Sequence, residues 1–144
     1  MIGGKGEFYI NGVDCFEEYG IVFEESTLPA LLSPAPMKED PEDEVILGNG
    51  KIVQTDNPRL DSRTVSLIIY MKCTSMSDFM TKYGKFCTLL YSRNLELTSP
   101  EHFQALKFRL LYDNCTQFSA YGYFELVKFI LRVTEPDPSN RLNV

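Results

Sequence analysis

With 144 residues, 44% of them hydrophobic and 24% charged, the chain has the size of one domain and the composition of an ordinary globular protein. Its formal net charge is -6, and its fourteen Lys and Arg residues never form a run. We therefore expect neither sequence-specific nucleic-acid binding nor a membrane partner, because both need clustered basic side chains. The amino terminus lacks the apolar run of a signal peptide, and no apolar run is long enough to span a bilayer.

Two short strands are predicted first. An aromatic strand over residues 6–10 leads to Asn11-Gly12. This dipeptide favours a hairpin turn because both residues tolerate positive φ. A second strand is predicted near residues 20–24, where the sequence is Gly-Ile-Val-Phe-Glu.

Residues 27–44 differ in character from the rest of the chain. Their second half is strongly acidic, and the segment contains Pro29, Pro34, Pro36 and Pro41. Prolines lack the N–H donors of a sheet ladder, and like charges repel. We therefore predict a long exposed loop, extended in conformation and anchored by Leu28, Leu31 and Leu32.

Residues 45–54 are predicted to form two short strands around Gly48-Asn49-Gly50. A long loop in a small domain is usually functional or mobile, and contact with a partner is the natural function here. The predicted contact residues are Leu28, Leu31, Leu32, Gly48, Asn49 and Gly50.

The middle of the chain carries the clearest periodic patterns. The stretch from Arg63 to Cys73 alternates with the period of a strand, and residues 76–91 repeat apolar side chains at helical spacing. Ser75, followed three residues later by Asp78, predicts the cap of this amphipathic helix. Gly84 interrupts the helix and is expected to allow close packing on the sheet.

The last third is predicted to be sheet again. A strand over residues 105–112 is expected to end at a turn formed by Asp113-Asn114. Residues 118–134 are expected to form one long strand, or two strands joined at Gly122. The predicted fold class is α+β, mainly an antiparallel β-sandwich with one helix at about residues 76–91 and the Pro-rich acidic loop. All of residues 1–144 then form a single β-rich domain.

No catalytic, cofactor-binding or metal-binding pattern is visible. His102 is the sole histidine and follows Pro100 in a predicted surface turn, which suits a solvated or capping side chain. The four cysteines, Cys15, Cys73, Cys87 and Cys115, lack the paired spacing of a zinc site and are expected to be reduced thiols. We therefore expect a protein that is not an enzyme, with no cofactor and no metal.

The order of these pieces resembles the amino-terminal domain of the distal tail (baseplate hub) proteins of tailed bacteriophages and their prophage relatives. The resemblance covers nearly the whole chain in short motifs. They are the opening Phe8-Tyr-Ile-Asn-Gly-Val-Asp14, the strand Tyr19-Gly-Ile-Val22, the strand led by Arg63, the helix, and a closing strand that ends in Thr134-Glu-Pro-Asp-Pro138.

This resemblance implies a β-sandwich that forms a hexameric ring at the tip of the tail tube. Its partners would be further copies of the chain and other tail proteins. The chain would lie in the cytoplasm of the bacterial host during assembly and in the virion tail afterwards. The acidic loop and the four cysteines depart from the family pattern.

Two other interpretations stay open at this point. One is a non-phage bacterial adaptor or ligand-binding β-domain without catalysis, and the other is an enzyme whose site is spread over the sequence. A ring-forming sheet edge with a protruding loop would favour the tail protein. A cleft with convergent polar groups and shifted pKa values would favour the enzyme.

Overall fold

A computed structural model describes residues 1–38, 42–43, 52–53 and 59–142. In chain order the elements are β1 (Tyr9–Ile10), β2 (Val13–Asp14), α1 (Cys15–Tyr19), β3 (Ile21–Phe23), α2 (Thr27–Leu32), β4 (Glu42–Asp43), β5 (Ile52–Val53), β6 (Arg63–Lys72), α3 (Met76–Tyr91), β7 (Asn94–Thr98), β8 (Lys107–Tyr121) and β9 (Leu126–Glu135). The predicted α+β class is confirmed.

Seven of the strands form one sheet in the order β2-β1-β7-β8-β9-β6-β3, and every neighbouring pair is antiparallel. The sheet folds over so that its two ends meet. The ring of Phe8, next to β1, lies 4.4 Å from the ring of Phe23 in β3, and Ile2 forms a bridge with Phe23. The apolar core therefore fills the space between the two halves of the sheet, as in a sandwich.

The strand and the helix with the strongest sequence periods lie where they were predicted. In β6 the buried side chains are Val65, Leu67, Ile69 and Met71. Helix α3 spans Met76–Tyr91 and buries Phe79, Phe86 and Leu90 against the core. The Ser75 hydroxyl accepts a hydrogen bond of 3.1 Å from the backbone N–H of Asp78, which confirms the predicted cap.

The hairpin at Asn11-Gly12 is confirmed, and its second strand is the short β2 directly after the turn. Asn11 has φ 52° and Gly12 has φ 80°, and the turn joins Ile10 directly to Val13. The short helix α1 follows, and the strand predicted near residues 20–24 is β3 at the opposite end of the sheet. The sequence alone could not separate these two strands in space.

Helix α2 corrects the prediction that residues 27–44 form an extended loop throughout. Thr27–Leu32 is helical even though it contains Pro29. Pro29 lies in the first turn, where a backbone N–H has no partner within the helix, so the missing donor costs little. The loop that was predicted therefore begins after Leu32.

The Asp113-Asn114 turn was also predicted wrongly. Strand β8 continues through these residues to Tyr121, and its pairing with β9 shifts register between Tyr112 and Asn114 and again between Cys115 and Gln117. Such irregularities have the character of β-bulges, which accommodate extra residues without ending a strand. The chain reverses instead at Gly122, which has φ 61°.

The segment between α2 and β6 is closed at its base. The N–H of Lys38 donates to the carbonyl oxygen of Arg59 at 2.8 Å, and Met37 forms an antiparallel bridge with Leu60. Strand β4 pairs with β5 as a separate two-stranded sheet. Residues 45–51, with the predicted turn at Gly48-Asn49-Gly50, lie outside the described residues.

A buried ion-pair cluster joins β6 to the carboxyl end of the chain. The side chain of Glu135 is 0% exposed and accepts from Arg63 Nε at 2.7 Å, Arg141 Nε at 2.8 Å and Arg141 Nη2 at 2.7 Å. The Arg63 guanidinium also donates to the carbonyl oxygens of Ala30, Leu31 and Ser33. The Glu135 carboxylate and the Arg63 guanidinium thus together connect α2, β6 and the carboxyl-terminal segment.

Helices in the described part of the chain are all too short or too polar to cross a membrane.

Candidate functional site

The longer half of β8 forms an open sheet edge. Strand β7 pairs only with residues 107–111 of β8, and one further hydrogen bond joins Tyr112 to Arg93. Beyond that point, no strand of the described chain pairs with the outer side of residues 113–121. We call these residues the open edge.

The composition of the open edge is unusual for a strand that faces water. It contains one charged residue, Asp113, and neither Lys, Arg nor Pro. Sheet proteins usually protect exposed edges with Lys, Pro or very short strands, because unpaired N–H and C=O groups recruit other strands. An edge of this length with so little protection is typical of a strand that pairs with a partner.

Large aromatic side chains lie along the open edge and the turn that follows it. Phe118 is 47% exposed, Tyr121 is 49% exposed and Tyr123 is 75% exposed. The Phe118 ring packs edge-on against the Phe129 ring, with centroids 5.2 Å apart, and this contact leaves about half of Phe118 exposed. We call these three residues the aromatic rim, since exposed apolar patches beside unpaired strands mark contact surfaces.

The two outermost strands of the sheet, β3 and β2, expose much shorter unpaired edges. The outer side of β3 is bridged by Ile2, through hydrogen bonds of 2.8 and 2.6 Å between the two backbones. Strand β2 is two residues long. Within the described residues, the open edge is therefore the longest stretch of the main sheet that is paired on one side only.

The predicted contact residues have different surroundings. Leu31 is 0% exposed and belongs to the core, where it anchors α2. Leu28 is half-buried, and Leu32 is 49% exposed. Gly48, Asn49 and Gly50 lie outside the described residues. The open edge was not predicted because Asp113-Asn114, at its beginning, was interpreted as a turn.

Cys15 in the core, and Tyr83 and Cys115 beside the open edge, have raised pKa values. Burial, and then the negative charge of Asp14, raise the pKa of Cys15 to about 12. A hydrogen bond to Cys87, and then the electrostatic interaction with that side chain, raise the pKa of Tyr83 to about 12. Partial burial raises the pKa of Cys115. All of these groups stay protonated and uncharged at neutral pH, and the four cysteines are free.

Iodoacetamide at pH 8 is expected to modify Cys115 and to spare Cys15. Cys115 is exposed, whereas Cys15 is buried and its pKa of about 12 leaves almost no thiolate, the form that reacts. Mass spectrometry of peptides after timed labelling would measure both rates. Labelling in guanidinium chloride, where both should react, is the control, and equal rates in the folded protein would contradict the buried position of Cys15.

The fold has a counterpart among phage proteins. Neither a protein-family model nor a curated protein sequence matches the chain. Among solved structures it is similar to the Dit (gp 19.1) protein of phage SPP1, described as a paradigm of the hub adsorption apparatus in phages that infect Gram-positive bacteria. The TM-score is 0.61 at 14% sequence identity, over 92% of this chain and 50% of that chain.

The chain therefore spans about half the length of the phage protein. Identity this low speaks for the fold alone. The resemblance that the short sequence motifs indicated is confirmed at that level, because the chain has the fold of a phage distal tail (baseplate hub) protein over nearly its whole length.

Proposed function

We propose that the chain is a structural component of a phage or prophage tail that assembles into a hexameric ring at the tip of the tail tube. The observation that carries the proposal is the likeness in fold to a phage hub protein over 92% of the chain. The protein then acts by geometry and not by catalysis. Its partners are further copies of the chain and other tail proteins, first in the host cytoplasm and then in the virion.

The open edge and the aromatic rim are the proposed contacts between subunits. Strand addition would satisfy the unpaired backbone groups of residues 113–121, each new hydrogen bond contributing about 0.5–1.5 kcal/mol. In a closed ring, the edge of one copy must meet a different surface of the next copy, because pairing of identical edges gives a two-fold dimer. Leu32 and Gly48-Asn49-Gly50 are proposed to contact a neighbouring subunit or an adjacent tail protein.

Light scattering after size exclusion, across a wide concentration range, tests the proposal. We expect the mass to rise from the 16.5 kDa of one chain toward six times that value. The double variant Gln117→Lys/Tyr121→Lys should weaken association at least tenfold, because charged side chains on an edge oppose strand addition. Both positions are exposed, so the monomer should keep its fold.

The matched control is Thr81→Lys/Thr88→Lys, which adds the same charge to the exposed side of α3. This variant should associate as the parent does. If both variants associate like the parent, the edge is the wrong contact while the ring proposal stands. A parent mass that stays at one chain at every concentration, also in the presence of tail-tube protein, would contradict the ring itself.

A further inference from the structure

Two glutamates and the only histidine of the chain meet at one end of the sheet. Glu7 lies just before β1, and Glu101 and His102 follow β7. These strands are neighbours, with Tyr9 opposite Thr98. As a result, one side-chain ligand atom from each of Glu7, Glu101 and His102 lies within 4.8 Å of the other two.

The Glu7 carboxylate is held in place by one of its two oxygens. Its Oε2 accepts hydrogen bonds from the backbone N–H groups of Gly3 and Gly4. Its Oε1 has no such partner and faces His102 Nε2 at 4.0 Å. The buried Ser99 hydroxyl bonds both the Glu7 carbonyl oxygen and the His102 N–H, so it fixes the two backbones relative to each other.

The histidine ring is fixed as well. It stacks on Phe8, with ring centroids 5.1 Å apart and an angle of 18° between the rings. Its Nε2 atom is buried and has no hydrogen-bond partner among the described residues. The 4.0 Å to Glu7 is too long for a hydrogen bond. Buried polar atoms are rarely left unpaired, and this one faces the Glu7 carboxylate.

We propose that Glu7, Glu101 and His102 form a binding site for a divalent transition-metal ion of the zinc type. Imidazole nitrogen and carboxylate oxygen both bind zinc at about 2.0–2.2 Å. Two such ligands on a tetrahedral ion lie about 3.4 Å apart. The Glu7–His102 pair at 4.0 Å must therefore close by about 0.6 Å, and the other pairs of the cluster, which lie within 4.8 Å, by at most about 1.4 Å. The imidazole ligand argues against magnesium and calcium, because both ions prefer oxygen ligands.

The site would fasten the amino-terminal residues to the connection between β7 and β8. Three protein ligands leave a fourth position for water or for a donor from a neighbouring protein. The sequence gives no sign of the site, since Glu7 and His102 are far apart in the chain and share no recognised spacing. This inference does not depend on the proposed function.

Titration of the untagged chain with zinc chloride, after treatment with EDTA, tests the site. Because His102 is the sole histidine, its imidazole NMR signals are unambiguous. We expect one equivalent of zinc to shift these signals and to raise the melting temperature. Glu7→Gln should lower the affinity, measured by calorimetry, at least tenfold, and Glu101→Gln, on the exposed side, should lower it as well.

Glu17→Gln removes an exposed carboxylate outside the cluster and should leave the affinity unchanged. The titration is repeated with Cys115→Ser, since an exposed thiol is the main competing zinc ligand. Melting curves in EDTA show whether each variant is folded before zinc is added. Zinc binding that leaves the imidazole signals unmoved, or no binding at 100-fold excess of zinc, would overturn the proposal.

Discussion

Glu135→Gln is expected to lower the free energy of unfolding by about 3–5 kcal/mol, the usual cost of removing one partner from a buried ion pair. Gln has nearly the same shape, so the variant removes the charge and leaves the packing. For a chain of this length the loss corresponds to a fall in melting temperature of about 10 °C or more.

The size of this effect follows from what Glu135 holds. Its carboxylate is 0% exposed and accepts three hydrogen bonds from Arg63 and Arg141. Without the negative charge, the Arg63 guanidinium, which is only 7% exposed, keeps its positive charge and loses its counterion. The carbonyl oxygens of α2 bonded to Arg63 lose part of their support in turn.

Thermal and urea unfolding followed by circular dichroism would measure the change. The control is Glu18→Gln, which removes one partner of the Glu18–Lys85 pair at 3.1 Å, where both side chains are about half exposed. Exposed pairs of this kind contribute about 0–1 kcal/mol. If Glu135→Gln unfolds within 2 °C of the parent, the buried ion-pair cluster does not stabilise the domain as described.

Gly20→Ala and Gly84→Ala are expected to change stability in opposite directions. Gly20 ends α1 with φ 66°, and an added Cβ would lie 2.6 Å from the carbonyl oxygen of Lys72. The left-handed backbone costs an L-residue about 1–2 kcal/mol, and overpacking adds about 1–3 kcal/mol. The backbones at Gly20 and Lys72 cannot simply separate, because the N–H of Lys72 donates a hydrogen bond of 2.8 Å to the carbonyl oxygen of Gly20.

Gly84 is free of both constraints. A Cβ at this position would meet nothing within 4 Å, so the expectation that Gly84 allows close packing on the sheet is wrong. In a helix interior, Ala is favoured over Gly by about 1 kcal/mol, so Gly84→Ala should stabilise the protein by up to that amount. Urea unfolding of both variants is the measurement, and a loss of stability in Gly84→Ala would contradict the open space beside α3.

Local periodicity explains what the sequence predicted well. Strand β6 and helix α3 each carry a long apolar pattern, so neither depends on distant residues for its identification. The motifs Tyr19-Gly-Ile-Val22 and Arg63 were recognised only as a resemblance. The structure supplies their physical reasons, which are a left-handed helix end at Gly20 and a buried ion pair at Arg63.

The features that the sequence did not predict are of two kinds. In some, the surrounding structure tolerates residues that usually end a helix or a strand, and in others the contacts join residues far apart in the chain. Proline usually ends a helix, but the first turn of α2 tolerates Pro29. Asp-Asn usually forms a turn, but shifts in the pairing register accommodate Asp113-Asn114 within strand β8. The open edge exists only because β7 is shorter than β8, which no local pattern reveals. The meeting of Glu7 with His102 likewise depends on the pairing of β1 with β7.

The segment between α2 and β6 is fixed at both of its ends. Its two stems are bridged at Met37 and Leu60, and Arg63 binds the carbonyl oxygens at the end of α2. Contacts of the described residues therefore fix both ends of this segment. Because the entropy of closing a loop grows slowly with its length, a change in the length of this segment should cost the sheet little stability. Under the proposed function, the contact that this segment makes with a neighbouring protein can then change without a change in the fold.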